Sequence, residues 1–318
     1  MILRPNDIDH PGLLDGMTLK FPPGAAYAGR VELSSGFLPA AEGPLPGTYA
    51  PGSCVPRPPW RPPSCHESSL LYGTPGALPG EWIALLPVPQ RVLEACADLR
   101  AAAAAGAEQA VRSLIAGPGG RMALVELIRW ATTLTDPARP GIEAPLLYGM
   151  TPAGNLTMTI GGHGRRVGLH VDTWYDNSLA ERAAAPNRIS VNLGARERFL
   201  LCVNAPLQVM AAALRDRGLL DGVSDPRFAL GARFMQVFPD YPVTKITVRP
   251  GEAYLAPTEN MLHDGYAEPH GQVDLQFSCR GRFLPPVPRP TGVSSGPAAA
   301  RTYARRRETD DWCAGSPG

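Results

Sequence analysis

Two histidines and an aspartate constrain this chain more than any other feature of its sequence. His170 and Asp172 stand two apart in Gly168-Leu169-His170-Val171-Asp172-Thr173-Trp174, and His263 follows much later, in Ala256-Pro257-Thr258-Glu259-Asn260-Met261-Leu262-His263-Asp264-Gly265. Residues two apart on an extended segment point to the same side. A fold that lays His263 against that segment therefore presents two imidazoles and one carboxylate to a single point. This donor set suits Fe(II), which takes three protein ligands on one face and keeps its other positions open. A bare His-x-Asp is common. Here it ends a strand-like run and is followed by further strand-like runs, a Pro-x5-His-x-Gly sequence and a basic strand, which is a far narrower pattern.

The rest of the chain supplies a plausible frame. From Pro145 onward the apolar spacing is that of strands split by Gly-rich turns: 146–148, 155–160, 166–171, 188–193, 198–203, 245–248, 252–255 and 273–280. The runs 188–193 and 198–203 read as a hairpin turning at Gly194-Ala195-Arg196-Glu197, and a helix over 206–217 interrupts the strands. Upstream, Val92, Leu93, Cys96 and Leu99 share one helical face, and the Ala tract 101–105 continues that helix to Gly106. Helices over 107–115 and 122–134 follow. Many short strands with turn signals between them, beside amphipathic helices, predict an α+β fold with a double-stranded β-helix (jelly-roll, cupin-like) core and buttressing helices.

Composition separates this middle from the ends. The 318 residues include 34 Gly and 36 Pro, more than a fifth of the chain, with the prolines concentrated toward the termini. Residues 1–80 read as a Pro/Gly-rich arm or lid, 81–285 as the folded domain and 286–318 as a disordered tail. Pro56-Arg57-Pro58-Pro59-Trp60-Arg61-Pro62-Pro63 reads as extended polyproline wrapped over the core. The net charge of +1, with signs interspersed, gives no nucleic-acid footprint. The first residues lack the apolar core of a secretory signal, and no stretch approaches the roughly 18 apolar residues of a spanning helix. The expectation is a soluble cytoplasmic protein with no membrane or nucleic-acid partner and a small-molecule substrate. Its six cysteines, with no Cys-x-x-Cys, read as free thiols.

Between Leu146 and Phe283 the ordered set of His170, Asp172, His263 and a following basic strand resembles the Fe(II)/2-oxoglutarate-dependent oxygenases. The resemblance implies iron held by those three residues, with 2-oxoglutarate and O2 as co-substrates. It implies hydroxylation of an unactivated C–H, coupled to conversion of 2-oxoglutarate to succinate and carbon dioxide. Halogenating members of that family carry a small residue where this chain has Asp172, so the resemblance points to a hydroxylase. The far carboxylate of 2-oxoglutarate calls for a buried cation, best met by the planar fork of an arginine. Arg280 and Arg282 are the candidates, Arg280 the preferred one, with Ser278 beside them. Asn192 and Thr159 are further polar positions on inner strands. Trp174 and Tyr175 follow the ligand pair and are candidate walls of a substrate pocket. Asp176, Arg182 and Glu259 are candidate partners for a polar substrate such as an amino acid. His163 and His270 sit in Gly-rich or Pro-flanked turns and read as turn residues.

Other readings stay open at this level. The same chemistry also serves desaturation and cyclisation. A cupin-like metal-binding module or isomerase would use the triad without 2-oxoglutarate and would have no need of an arginine anchor. A scaffold acting through Pro-rich arms would not need His170 at all.

Overall fold

The computed structural model describes residues 13–14, 16–22, 29–43, 48–72, 79–151, 159–220, 226–268 and 271–284. In chain order its elements are β1 (Thr18–Lys20), β2 (Val31–Leu33), β3 (Phe37–Pro39), β4 (Cys54–Pro56), α1 (Cys65–Leu71) and β5 (Trp82–Pro87). Then come α2 (Gln90–Ala95), α3 (Ala97–Ala104), α4 (Glu108–Ala116), α5 (Pro118–Thr132) and β6 (Ile142–Thr151). The last third holds β7 (Asn187–Asn192), β8 (Arg198–Cys202), α6 (Leu207–Arg215), α7 (Pro226–Val237), β9 (Thr244–Val248), β10 (Glu252–Ala256), β11 (His263–Tyr266) and β12 (Asp274–Gly281).

This is an α+β arrangement of a six-stranded sheet, β1-β5-β10-β7-β12-β6, a four-stranded sheet, β11-β8-β9-β2, and the small pair β3-β4. Every pairing is antiparallel except β1 with β5. The alternation along β5 explains the layers. Ile83 and Leu85 share a core cluster with Leu200, Cys202, Ile246 and Val248 of the four-stranded sheet. Trp82, Ala84 and Leu86 point the other way, into a second cluster with Val92, Leu99, Leu127 and Ala131 of the helices. The large sheet is thus covered on both faces, which is why β5 and β10 read as nearly continuous apolar runs.

The same alternation builds a polar patch. On β7 and β12, Ile189, Val191, Leu275, Phe277 and Cys279 face the helices. The intervening Arg188, Ser190, Ser278 and Arg280 face the opposite way, with Ser278 opposite Ser190 and Arg280 opposite Arg188 in the ladder. The inner face is apolar across β5 and β10 and polar across β7 and β12. The site lies against this polar half.

Several expectations are altered. The runs 188–193 and 198–203 do not pair as a hairpin: β7 lies in the six-stranded sheet and β8 in the four-stranded one. The connection crosses between sheets, and Asn192 holds it by donating to the carbonyls of Arg196 (2.8 Å) and Val248 (2.9 Å) while accepting from Gly194 N–H (3.0 Å). The helix expected from Gln90 through the Ala tract is interrupted at Cys96, whose N–H donates to Leu93 only three residues back. The N-terminal arm is partly built into the sheets, with β1 along β5 and β2 along β9. The polyproline stretch lies beside β2, bridged at Leu33 and Arg61. Residues 166–171 make isolated bridges instead of a ladder strand. Most of the strand expected over 155–160 lies outside the described residues, as do His270 and the tail 286–318.

Candidate metal centre

Two backbone contacts assemble the triad. His170 and His263 form an antiparallel bridge, exchanging N–H···O bonds of 3.1 and 2.8 Å. Asp172 N–H then donates to Thr258 O at 2.9 Å, which holds the His170 segment alongside the chain leading into β11. Gly168 starts that segment at φ +69, and a Cβ there would lie 2.4 Å from Cys54 O. Only glycine suits such a conformation at such a close approach.

The ring nitrogens are sorted by hydrogen bonding in the same way on both histidines. Nδ1 of His170 lies 2.8 Å from Gly168 O and Nδ1 of His263 lies 3.3 Å from Met261 O, each the carbonyl two residues earlier. An Nδ1–H donated to a carbonyl leaves the Nε2 lone pair for a metal. His170 Nε2 is 3.6 Å from Asp172 Oδ1, and His263 Nε2 is 3.7 Å from Asp172 Oδ2. One donor atom from each residue lies within 4.8 Å of the other two. His263 Nε2 is buried and has no hydrogen-bond partner among the described residues. Burial pushes the His263 pKa down to about 3, so its imidazole is neutral at pH 7 and ready to bind metal. For His170 burial also lowers the pKa, but the Asp172 hydrogen bond and the Asp264 charge outweigh it and the net shift is upward. Asp172 is destabilised as an anion by burial, yet Arg188, His263, His170 and Arg280 together hold its carboxyl well below the usual range.

A network of charges surrounds the triad. Arg280 Nη2 donates to Asp172 Oδ2 at 2.5 Å, and its Nη1 to Glu259 Oε1 at 3.2 Å. Arg188 Nη2 lies 3.2 Å from the same Asp172 oxygen. Glu259, fully buried, also accepts the Trp174 N–H at 2.8 Å, and burial raises its pKa. Arg182, also buried, donates to Glu259 O (2.6 Å) and Asp172 O (3.2 Å) and so ties the two loops together. The Arg280 guanidinium sits 5.1 Å from the Trp174 ring centroid, in reach of a cation–π contact. Tyr175 donates its hydroxyl to Glu143 of β6.

Of the other sequence candidates, Ser278 lies one pleat from Arg280 on the same strand face. Arg282 stands past the end of β12 and donates to Ala184 O, away from the triad. Asn192 serves the sheet crossing described above. Thr159 donates through N–H and Oγ1 to Asp264 Oδ1. His163 is exposed in its turn, and Asp176 is exposed beyond Tyr175.

Three participants escaped the sequence reading. Asp264 is buried directly after the third histidine, with Oδ2 3.8 Å from His170 Nδ1. Arg188 and Glu143 both oppose Arg280, on β7 and β6 respectively. Strand alternation alone would have placed Arg188 on the face of Ser190, but nothing in the sequence indicates which strand β12 lies beside. A cavity of about 260 Å³ adjoins the His170 segment, between Ala50–Ser53 and Gly231, Ala232 and Met235 of α7. Among the described residues no helix is long and apolar enough to cross a membrane. Comparison with protein-family models, with curated proteins and with solved structures found no match.

Proposed function

We propose that this chain is a non-haem Fe(II)- and 2-oxoglutarate-dependent oxygenase that hydroxylates a small polar molecule. The observation that carries the reading is the triad: two imidazoles presenting Nε2 and one carboxylate, converging within 4.8 Å, with a buried ring nitrogen otherwise unsatisfied. Two nitrogens and one oxygen on one side of a point fit Fe(II), with coordination positions left for a chelating co-substrate and oxygen.

The strand order supports a jelly-roll frame for this chemistry. Counting β6 as first, the His170 segment as second and β7 to β12 as third to eighth, the neighbours run 1-8-3-6 in one sheet and 2-7-4-5 in the other. That order is two interleaved Greek keys, the plan of a jelly roll. On that count His170 and His263 stand on neighbouring strands two and seven, at one end of the smaller sheet.

Bound iron would let O2 take two electrons from 2-oxoglutarate, which becomes succinate and carbon dioxide with one oxygen atom entering succinate, and two from an unactivated C–H bond, which becomes C–OH with the other. The chain's own residues hold and orient. His170, Asp172 and His263 would hold the ion, while the carbonyls of Gly168 and Met261 orient the two rings. Arg280 offers a buried, forked cation on the inner face for the far carboxylate of the co-substrate. Glu259 sets that guanidinium in place, and Trp174 and Tyr175 border the site.

One observation favours a second reading, a metal-binding module that takes no 2-oxoglutarate. Arg280 already engages two protein carboxylates, Asp172 and Glu259. The two readings separate on a single assay. Aerobic incubation with Fe(II) and 2-oxoglutarate should release succinate at a slow uncoupled rate, lost in His263→Ala; a folded, iron-binding protein that releases none would support the module.

A further inference from the structure

Arg188 and Arg280 face each other directly across β7 and β12. Directly opposed like charges are unfavourable in a sheet. The pair is held together by one oxygen, Asp172 Oδ2, 2.5 Å from Arg280 and 3.2 Å from Arg188. The two guanidinium groups are otherwise unlike. Arg280 has a second carboxylate in Glu259 and a ring beneath it in Trp174, and its side chain is 2% exposed. Arg188 has, among the described residues, no carboxylate partner but Asp172, and its side chain is 20% exposed. A guanidinium carries five N–H donors. Most of those on Arg188 are therefore uncommitted, near the start of β7 on the polar face.

Metal binding at the triad sharpens the difference. The single charge of Asp172 is then shared with a divalent ion, while Arg280 keeps Glu259. Arg188 becomes the under-neutralised cation of the site. Trp174, whose ring lies against Arg280, is 53% exposed.

We propose that Arg188 binds a carboxylate of the molecule to be oxidised, so that the substrate is a small carboxylic acid held with its acid group against β7. The proposal rests on the oxygenase reading and adds the substrate's chemical class. A carboxylate fits better than a phosphate. The planar fork suits either, but Asp172 beside Arg188 and Glu259 beside Arg280 would repel a dianion more strongly than a monoanion. The same guanidinium chemistry also suits the far carboxylate of 2-oxoglutarate, and the test distinguishes these two sources.

The experiment uses the full chain with Fe(II) and 2-oxoglutarate, wild type beside Arg188→Gln and Arg188→Lys. Anaerobic visible spectra read the iron–2-oxoglutarate chelate. Aerobic succinate release is then measured against a panel of small carboxylic acids, L-amino acids included, each beside its neutral amide or methyl ester. The expected result is stimulation by one or more acids and not by their neutral partners. Arg188→Gln keeps the chelate band but raises KM for the stimulating acid about 10- to 100-fold, as loss of a charge-assisted hydrogen bond implies. Arg188→Lys, which keeps the charge without the fork, falls between. Stimulation by neutral partners as well, no stimulation by any acid, or an unchanged KM in Arg188→Gln would overturn the proposal. Loss of the band in an Arg188→Gln protein that still binds Fe(II) would overturn it too, by placing Arg188 on the co-substrate, and loss of Fe(II) binding itself would overturn it by making Arg188 a support of Asp172. A wild type without any band would instead remove the oxygenase reading on which the proposal stands.

Discussion

Gly168 shows how much of the site depends on a residue with no side chain. Its left-handed φ of +69 turns the chain into the His170 segment, and its carbonyl orients the His170 ring. Gly168→Ala puts a Cβ against Cys54 O and forces a conformation that alanine resists. The expected cost is about 1–3 kcal/mol in urea unfolding, together with weaker Fe(II) binding by competition titration. Unchanged stability with unchanged affinity would mean that the segment tolerates other geometries. That His170 and Asp172 present their side chains together was legible in the sequence, because His-x-Asp shares a side wherever the chain is extended; the approach of His263 depends on a bridge between distant segments. Arg188 was not legible either, because its role depends on which strand lies beside β12. Asn192 misled for a related reason. A polar residue on an inner strand suggests a site contact, whereas here it braces the crossing from one sheet to the other.

At the scale of elements, periodicity was most reliable where one face alone is buried. The helix over 107–115 differs from α4 by a single residue at each end. It failed for β7 and β8, which are adjacent, strand-like and separated by a glycine-bearing turn, yet belong to different sheets. Hairpin signals are local, and sheet membership is decided by distant packing. α1 offers a test of local stabilisation. Ser64 and Glu67 form a reciprocal capping box, and Arg61 bonds both Glu67 oxygens at 2.7 Å. The Arg61 hydrogen bond, with further help from Ser64, lowers the Glu67 pKa to about 2 against the opposing effect of burial. A carboxyl depressed in the folded state contributes stability above its unfolded value of about 4.3, and that contribution is lost as pH falls toward 2. With solvent screening the contribution is about 1 kcal/mol. Glu67→Gln should therefore be less stable than wild type at pH 7, and the gap should narrow by pH 2.5. A gap independent of pH would assign the effect to packing.

For the whole molecule, the large sheet is a partition. One face packs on helices α2–α5 and the other on the smaller sheet, with the polar half of its inner face turned to the triad. Phe277, fully buried on the helical face between Leu275 and Cys279, belongs to the same strand as Arg280. Phe277→Ala should cost about 3–5 kcal/mol of unfolding free energy. Global unfolding should carry that loss, with metal affinity little changed in the protein that remains folded. A large fall in affinity at modest loss of stability would mean that the two faces are mechanically linked. The N-terminal arm was hard to foresee at this scale. Its Pro and Gly content signals loop, and yet three-residue strands within it edge both sheets. Such short strands carry too few residues for any alternation to be read. Whether the triad holds iron in a form that accepts a 2-oxo acid is read by anaerobic visible spectroscopy of the purified protein with Fe(II) and 2-oxoglutarate. Wild type should give a weak charge-transfer band, His170→Ala none and Arg280→Ala a diminished one. A folded wild-type protein that gives no band would contradict the oxygenase reading.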